Sequence, residues 1–443
     1  MKTFKSVLSV LIILTIVLAG CTPAQPTAAP AESAGEAAEP EQQAAEPVTI
    51  TFWNGVGAPE NEVFSKLVKE FNATNKDNIT VTEVILDWDT LYSKILLDYQ
   101  AGNAPDVVTM QMTSVAQNVD FGILAPLDEL AAKYDFKKSD YVEVAWDGTI
   151  VNGKQYAIPY DMHPLALYYN VKMFEEAGLD PNNPPKPGEE WLDAMQKLTK
   201  DTDGDGKTDQ YGLGLAYSGG TPFRVWMSLL WQHEGAELLT EDETKAAFNS
   251  AAGEEALQWL VDLVYTHKFV PEQEQSPDDD FAKGIVAMDI SGPWSMFDFN
   301  KIDGLEYKVA PLPVVFDQPA VWANSHVLAL PDTKDDARME ASMKFVRFLA
   351  DNGMTWTTEA GHLPVLKTVT SSPEFAELEN HQAFYQSLDV AHYYPPILKQ
   401  NELFGREPNS PFVVLVETTL LNKGTVADTL SQVEQMVNDI LAQ

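Results

Sequence analysis

From Val48 onward the chain alternates between two hydrophobic periods, and this alternation restricts the fold more than any other feature. Val48-Thr49-Ile50-Thr51-Phe52-Trp53 reads as a period-two strand, and after a Gly/Pro loop Val63, Phe64, Leu67, Val68 and Phe71 recur at helical spacing. Ile79–Leu86 then predicts a strand, Leu91, Tyr92, Ile95, Leu96 and Tyr99 a helix, and Asp106–Met110 a third strand. Strands that alternate with helices predict an open, mainly parallel α/β sheet. Further helical series follow around Trp191, Met195 and Leu198, over Trp226–His233 and over Ala256–Tyr265, so the later half is expected to be helix-rich.

At 443 residues the chain favours two domains over one, and a 45% hydrophobic content argues for a packed core. Its 66 acidic against 29 basic residues give a formal charge of −37, which disfavours nucleic acid and anionic lipid as partners. One cysteine excludes an intramolecular disulfide, a Cys-rich zinc site and an iron–sulfur cluster.

The position of that cysteine is informative. Residues 1–20 carry Lys2 and Lys5, an apolar run from Val7 to Leu18 and then small residues, the pattern of a secretory signal. Leu18-Ala19-Gly20-Cys21 resembles the bacterial lipobox, so Cys21 is expected to be lipidated and to anchor the chain to the outer face of the cell membrane. Ala, Pro and Glu fill most of Thr22–Pro47, which lacks any Val, Ile, Leu, Met or aromatic residue; residues 21–47 therefore predict a disordered acidic tether.

No Gly-x-Ser-x-Gly, His-Glu-x-x-His or Gly-x-x-x-x-Gly-Lys-Ser/Thr motif appears, and Gly212-x-Gly214 lacks the third glycine of a dinucleotide fingerprint. Ser and Cys nucleophiles thus have no support in the sequence, and a glycosidase-type carboxylate pair cannot be picked out by spacing among 66 acidic residues, so an enzyme remains a background alternative. Ligands of open α/β sheets sit beyond the carboxyl ends of strands, which points to Trp53 and Asn54 after the first strand and to Gln111 after the third. Asp201, Asp203, Asp205, Lys207 and Asp209 match the odd positions of a calcium loop, with Gly206 at its sixth position but Gly212 where the bidentate Glu belongs. A structural Ca²⁺ is expected there, the alternative being a solvated Asp/Gly turn. Trp294 in Gly292-Pro293-Trp294, and Trp322 and Asn324 in Val321–Asn324, have the residue types that stack on and hydrogen-bond to sugars; a core position is the alternative for each tryptophan.

Taken in order, Ile50–Trp53, Ala101–Asp106, Gly153–Pro159, Leu165–Asn170, Gly284–Met288, Ser291–Trp294 and Glu359–Pro364 resemble the extracellular solute-binding proteins of ABC importers, in particular the sugar-binding branch that includes maltose-binding protein. The resemblance implies a two-lobed periplasmic-binding-protein-like fold, each lobe an open mainly parallel sheet flanked by helices, with the ligand cleft between the lobes. It places the first lobe at 48–157 plus 319–350 and the second at 161–310 plus 354–443. Trp294 then falls where the family stacks a sugar ring, and His163, with Asp161 beside it, where maltose-binding protein places a contacting carboxylate. The implied function is capture of a sugar, most simply an oligosaccharide, by a monomer that closes about a hinge and delivers its load to a membrane permease. A secreted glycoside-active enzyme and a calcium-dependent carbohydrate-adhesion lipoprotein are the alternatives.

Overall fold

The computed structural model describes residues 46–57 and 60–443; the signal segment, Cys21 and the tether up to Ala45 lie outside the described residues. The strands of its three larger sheets are, in chain order, β1 (Val48–Asn54), β2 (Ile79–Ile85), β3 (Val107–Gln111), β4 (Ala157–Pro159), β5 (Asp161–Pro164), β6 (Ala166–Asn170), β7 (Met288–Ser291), β8 (Tyr307–Ala310), β9 (Val321–Asn324), β10 (His326–Ala329), β11 (Leu363–Pro364) and β12 (Ala391–His392).

The first sheet runs β2-β1-β3-β10-β4. Its first three strands pair in parallel, Val48 opposite Ile79 and Phe52 opposite Val107, as the β/α alternation requires. The crossover helix Asn61–Thr74 buries Val63, Phe64, Leu67, Val68 and Phe71, the residues that give it helical spacing, and Asp87 caps the helix Trp88–Gln100 by accepting from Thr90 N. β10 joins both β3 and β4 antiparallel.

The other sheets depart from the parallel expectation. β8-β6-β7 is antiparallel throughout, and in β11-β5-β9-β12 only β9 and β12 run parallel. Leu165 alone separates β5 from β6, so the chain passes from one of these sheets to the other without an intervening helix.

The chain changes sheet at Tyr160, between β4 and β5, and again at Ser325, between β9 and β10; Asn352 breaks the helix Asp336–Asp351 from Gly353–Ala360. The second of these points corrects the expected boundary at 319, because β9 pairs with β5 and Trp322 N donates to Ser228 Oγ on the helix Gly220–Trp231. The apolar core does not stop at these crossings: one cluster runs from Phe52 and Phe64 through Tyr160 and Met162 to Leu363 and Phe384. A second packs the helices Ala251–Tyr265, Pro411–Leu420 and Val426–Leu441 around Trp226.

Candidate solute-binding site

A cavity of about 650 Å³ opens where β3, β5, β9 and β10 end and where the chain crosses between sheets. Its wall is rich in rings. Trp88 stacks on His326 with centroids 5.4 Å apart, Trp322 lies 5.6 Å from Tyr394, and Tyr394 stacks on Phe404 at 4.2 Å. Trp294 is half-buried at the wall, its ring 6.0 Å from that of His163. Gly292 makes this pose feasible, since a Cβ there would meet the Trp294 ring at 2.1 Å.

Behind the rings sits Asp161, with no exposed surface, as the hub of a polar cluster. His163 Nδ1 lies 3.2 Å from its Oδ1, while His326 Nδ1 and His362 Nδ1 lie 2.8 and 3.3 Å from its Oδ2. His326 N and Trp356 Nε1 donate to it as well, at 2.9 and 2.8 Å. A carboxylate only accepts, so the hub turns the Nδ1 protons of His163 and His326 inward. Their Nε2 atoms are thereby directed away from it; His163 Nε2 lies 3.2 Å from Gln111 Oε1.

His362 lies between two acids, with Glu60 Oε1 3.1 Å from its Nε2. The chain delivers it there through Gly361, which ends the helix Gly353–Ala360 at φ 88°, and a Cβ at that position would meet Pro293 O at 2.3 Å. Burial disfavours charge at every member of the cluster, but the members respond differently. For Asp161 the neighbouring His326 and His362 outweigh burial and hold the carboxyl well below its usual range. For His362 the charges of Asp161 and Glu60 outweigh burial and raise it. His163 goes the other way: burial and the charge of His326 bring it down to about 3.

Of the residues expected at the site, Gln111, His163, Trp294, Trp322 and Asn324 line the cavity. Asp161 acts from behind His163. Trp53 and Asn54 are corrections: Trp53 is 6% exposed and packs into a cluster with Leu91, Ile95 and Met110, and Asn54 is enclosed with its Nδ2 donating to Glu83 Oε1 at 3.0 Å. The strand runs one residue further than its hydrophobic pattern suggested, so the loop Gly55–Gly57 reaches the cavity in their place. Sequence reasoning missed Trp88, Arg224, His326, His362, Tyr394 and Arg406, all of which line the cavity.

The calcium-loop residues lie apart from this cavity. Asp201, Asp203 and Asp205 are exposed, with carboxylate oxygens within 4.8 Å of one another. Asp201 accepts from Gly204 N and Gly206 N, Asp203 from Asp205 N, Asp205 from Lys207 N, and Asp209 from Thr202 N.

Residues 66–383 match the model of a family described as bacterial extracellular solute-binding protein. The chain belongs to that family. This solute-binding protein is 22% identical over 362 residues to the maltotriose-binding protein of Pyrococcus abyssi (strain GE5 / Orsay), covering 80% of this chain and 75% of that one. It is 23% identical over 360 residues to the sn-glycerol-3-phosphate-binding periplasmic protein of Escherichia coli (strain K12), covering 76% and 77% respectively. Among solved structures, an ABC transporter solute-binding protein from Thermotoga lettingae TMO bound with α-D-tagatose superposes with a TM-score of 0.77 at 28% identity, covering 89% of this chain and all of the other. The cyclic α-maltosyl-1,6-maltose binding protein from Arthrobacter globiformis gives a TM-score of 0.72 at 27% identity, covering 89% and 99%. The fold is therefore the two-lobed one of periplasmic binding proteins, and the protein binds solute outside the cytoplasm rather than turning it over.

Proposed function

We propose that this solute-binding protein captures a sugar, an oligosaccharide in the first instance, closes its lobes over it and delivers it to an ABC permease. The observation that carries the reading is the cavity wall: the half-buried Trp88 and Trp294 offer apolar ring faces, the nearly enclosed Trp322 and Tyr394 line it as well, and Gln111, Asn324 and His163 bring polar groups to it. Sugars present apolar C–H faces and equatorial hydroxyls, and a wall of this mixed kind matches both. The volume lies within the range of about 300–1,000 Å³ usual for small-molecule pockets. The tagatose complex of one structural relative, and the cyclic α-maltosyl-1,6-maltose that another is named for binding, support the same class of ligand. A panel of mono- and oligosaccharides, followed by melting temperature and by product analysis, tests the reading. A raised melting temperature without product is expected; unchanged melting across the panel sinks it.

Two further parts of the reading concern the periphery. Cys21 is proposed as the lipid anchor, on the strength of the Leu18–Cys21 motif and of its being the sole cysteine. Cys21→Ser is then expected to release the protein from the membrane fraction, and wild-type fractionation of the variant counts against an anchor. The Asp201–Asp209 loop is proposed to hold a structural Ca²⁺, supported by three carboxylates gathered within 4.8 Å. Melting curves in excess calcium and in excess chelator, at low magnesium, are expected to separate; superimposed curves remove the ion.

A further inference from the structure

The chain has four arginines, Arg224, Arg338, Arg347 and Arg406. Two are neutralised by carboxylates: Arg338 pairs with Asp106 at 2.6 Å, and Arg347 pairs with Asp351 one helical turn on. The other two line the cavity, and neither forms an ion pair among the described residues.

Their placement is specific. Arg224 lies with its guanidinium carbon 4.1 Å from the centre of the Trp322 ring, and its Nε donates to Tyr394 Oη at 3.2 Å. The ring and the phenol fix its position, and a planar guanidinium fork suits two-point contact with a carboxylate or phosphate. Arg406 approaches the same place from the far end of the chain. A Cβ on Gly220 would meet Arg406 Cδ at 3.1 Å and Arg224 Cζ at 3.3 Å, so both side chains converge over one backbone position. Gly220 opens the helix Gly220–Trp231, whose first turn has no acidic residue and no side-chain cap, so its amide groups add positive potential at that spot.

The acids of the cavity do not neutralise the pair. Glu60 is engaged by His362, Asp87 by the amide and hydroxyl of Thr90, and Glu407, exposed and next in the chain to Arg406, forms no ion pair with either arginine. Asp89 attracts Arg406 only from beyond ion-pair distance, while burial and the like charge of Arg224 act against the Arg406 cation. Two guanidinium groups thus sit together without a counter-ion, in a molecule whose acidic residues outnumber its basic ones by more than two to one.

We propose that the saccharide taken by this cleft carries an anionic group, a carboxylate, phosphate or sulfate, that docks between Arg224 and Arg406. The inference rests on the sugar-capture reading and sharpens it from sugars in general to acidic sugars. The anion supplies the charge that the pair lacks, and the half-buried ring of Trp294 holds the sugar to which it is attached.

The test compares matched ligands by titration calorimetry on the soluble protein: trigalacturonate against α-1,4-linked galactotriose, and glucose 6-phosphate and glucose 6-sulfate against glucose. At least one acidic ligand is expected to bind about tenfold or more tighter than its neutral partner, with the preference shrinking as salt rises. Arg224→Gln and Arg406→Gln are each expected to reduce that ratio, and the double variant to bring it near one. Arg224→Lys, which keeps the charge and loses the fork, falls between. Unfolding in urea checks that each variant folds. Neutral sugars bound as tightly as acidic ones overturn the inference and leave sugar capture standing. An acidic preference that survives the double variant also overturns it. Binding of no sugar in either set removes sugar capture and this inference together.

Discussion

Asp161 and the three histidines around it set the chemistry of the cavity at the level of single protons. His163 is brought from the ordinary 6.5 to about 3 in the folded state, so folding favours its neutral form. The stability this contributes is fully present above pH 6.5 and is lost as the pH falls from there toward 3. His362 is raised above 6.5, so its contribution is full below that value and is lost as the pH climbs through the folded value. Mild acid therefore separates the two, since only His163 weakens the fold there. Between pH 6.5 and 5 its share is on the order of 2 kcal/mol, at about 1.4 kcal/mol per unit. Urea unfolding at the two values is expected to show this loss in the wild type and a flatter dependence in His163→Asn; parallel curves would contradict the assignment. Trp294 belongs to the same scale. Because it is half-buried at the cavity wall, Trp294→Ala is expected to weaken sugar binding by about tenfold or more while shifting the urea midpoint little. Gly292→Ala, which pushes the ring out of its pose, is expected to weaken binding in the same direction. A large stability loss with unchanged affinity would make Trp294 a core residue.

Elements show which parts of this architecture a single sequence exposes. The strand and helix pattern up to Gln111 was legible because parallel strands and their crossover helices carry their periodicity locally, as in the five buried residues of Asn61–Thr74. The antiparallel sheets were not legible: β6, β7 and β8 come from residues 166–170, 288–291 and 307–310, and nothing in those segments encodes which neighbour each will meet. The cavity divides in the same way. His163 and Trp294 stood out within recognisable segments, whereas His326 and His362 join Asp161 only because the chain crosses between sheets at Tyr160 and Ser325. Trp53 failed for a local reason, since on a sheet covered on both faces a strand-end tryptophan has a core on either side. One element hides a cost of its own. Asp289 on β7 is 1% exposed, and burial together with nearby Asp278 raises its carboxyl well above 3.8. A carboxyl raised on folding loses stability as the pH rises from 3.8 through its folded value, and the loss persists above it. Asp289→Asn, isosteric and neutral, is expected to unfold at higher urea than the wild type at pH 8 and at a similar concentration at pH 4. A variant weaker than the wild type at pH 8 would show that the ionised form is the one the fold uses.

At the scale of the whole molecule, the cavity is assembled from parts that only chain crossings hold in register. Trp88 and Gln111 reach it from the parallel sheet and its helix, while Trp294, Tyr394 and Arg406 reach it from segments far along the chain. Few polar contacts tie the two sides at its rim: Gln117 Nε2 donates to Glu402 Oε2 at 3.2 Å, and Glu60 meets His362 at 3.1 Å. Contacts so sparse are compatible with an open form in which the rim parts and the crossings at Tyr160, Ser325 and Asn352 take up the rotation. On the proposed reading, a sugar touching both walls makes all its contacts only in the closed form, and its binding then shifts the population toward closure in proportion to that difference in affinity. The sole cysteine is Cys21, so Cys21→Ser provides a cysteine-free background for paired labels. Asp120→Cys and Asn409→Cys place spin labels at exposed positions, one at the last residue of the helix that carries Gln117 and one beyond Glu402. Without sugar the distance distribution is expected to be broad or long, and with saturating sugar narrow and shorter. A distribution that stays fixed while calorimetry shows the sugar bound would mean capture by a preformed cavity, and the permease would then have to recognise the ligand or the rim residues rather than a change of shape.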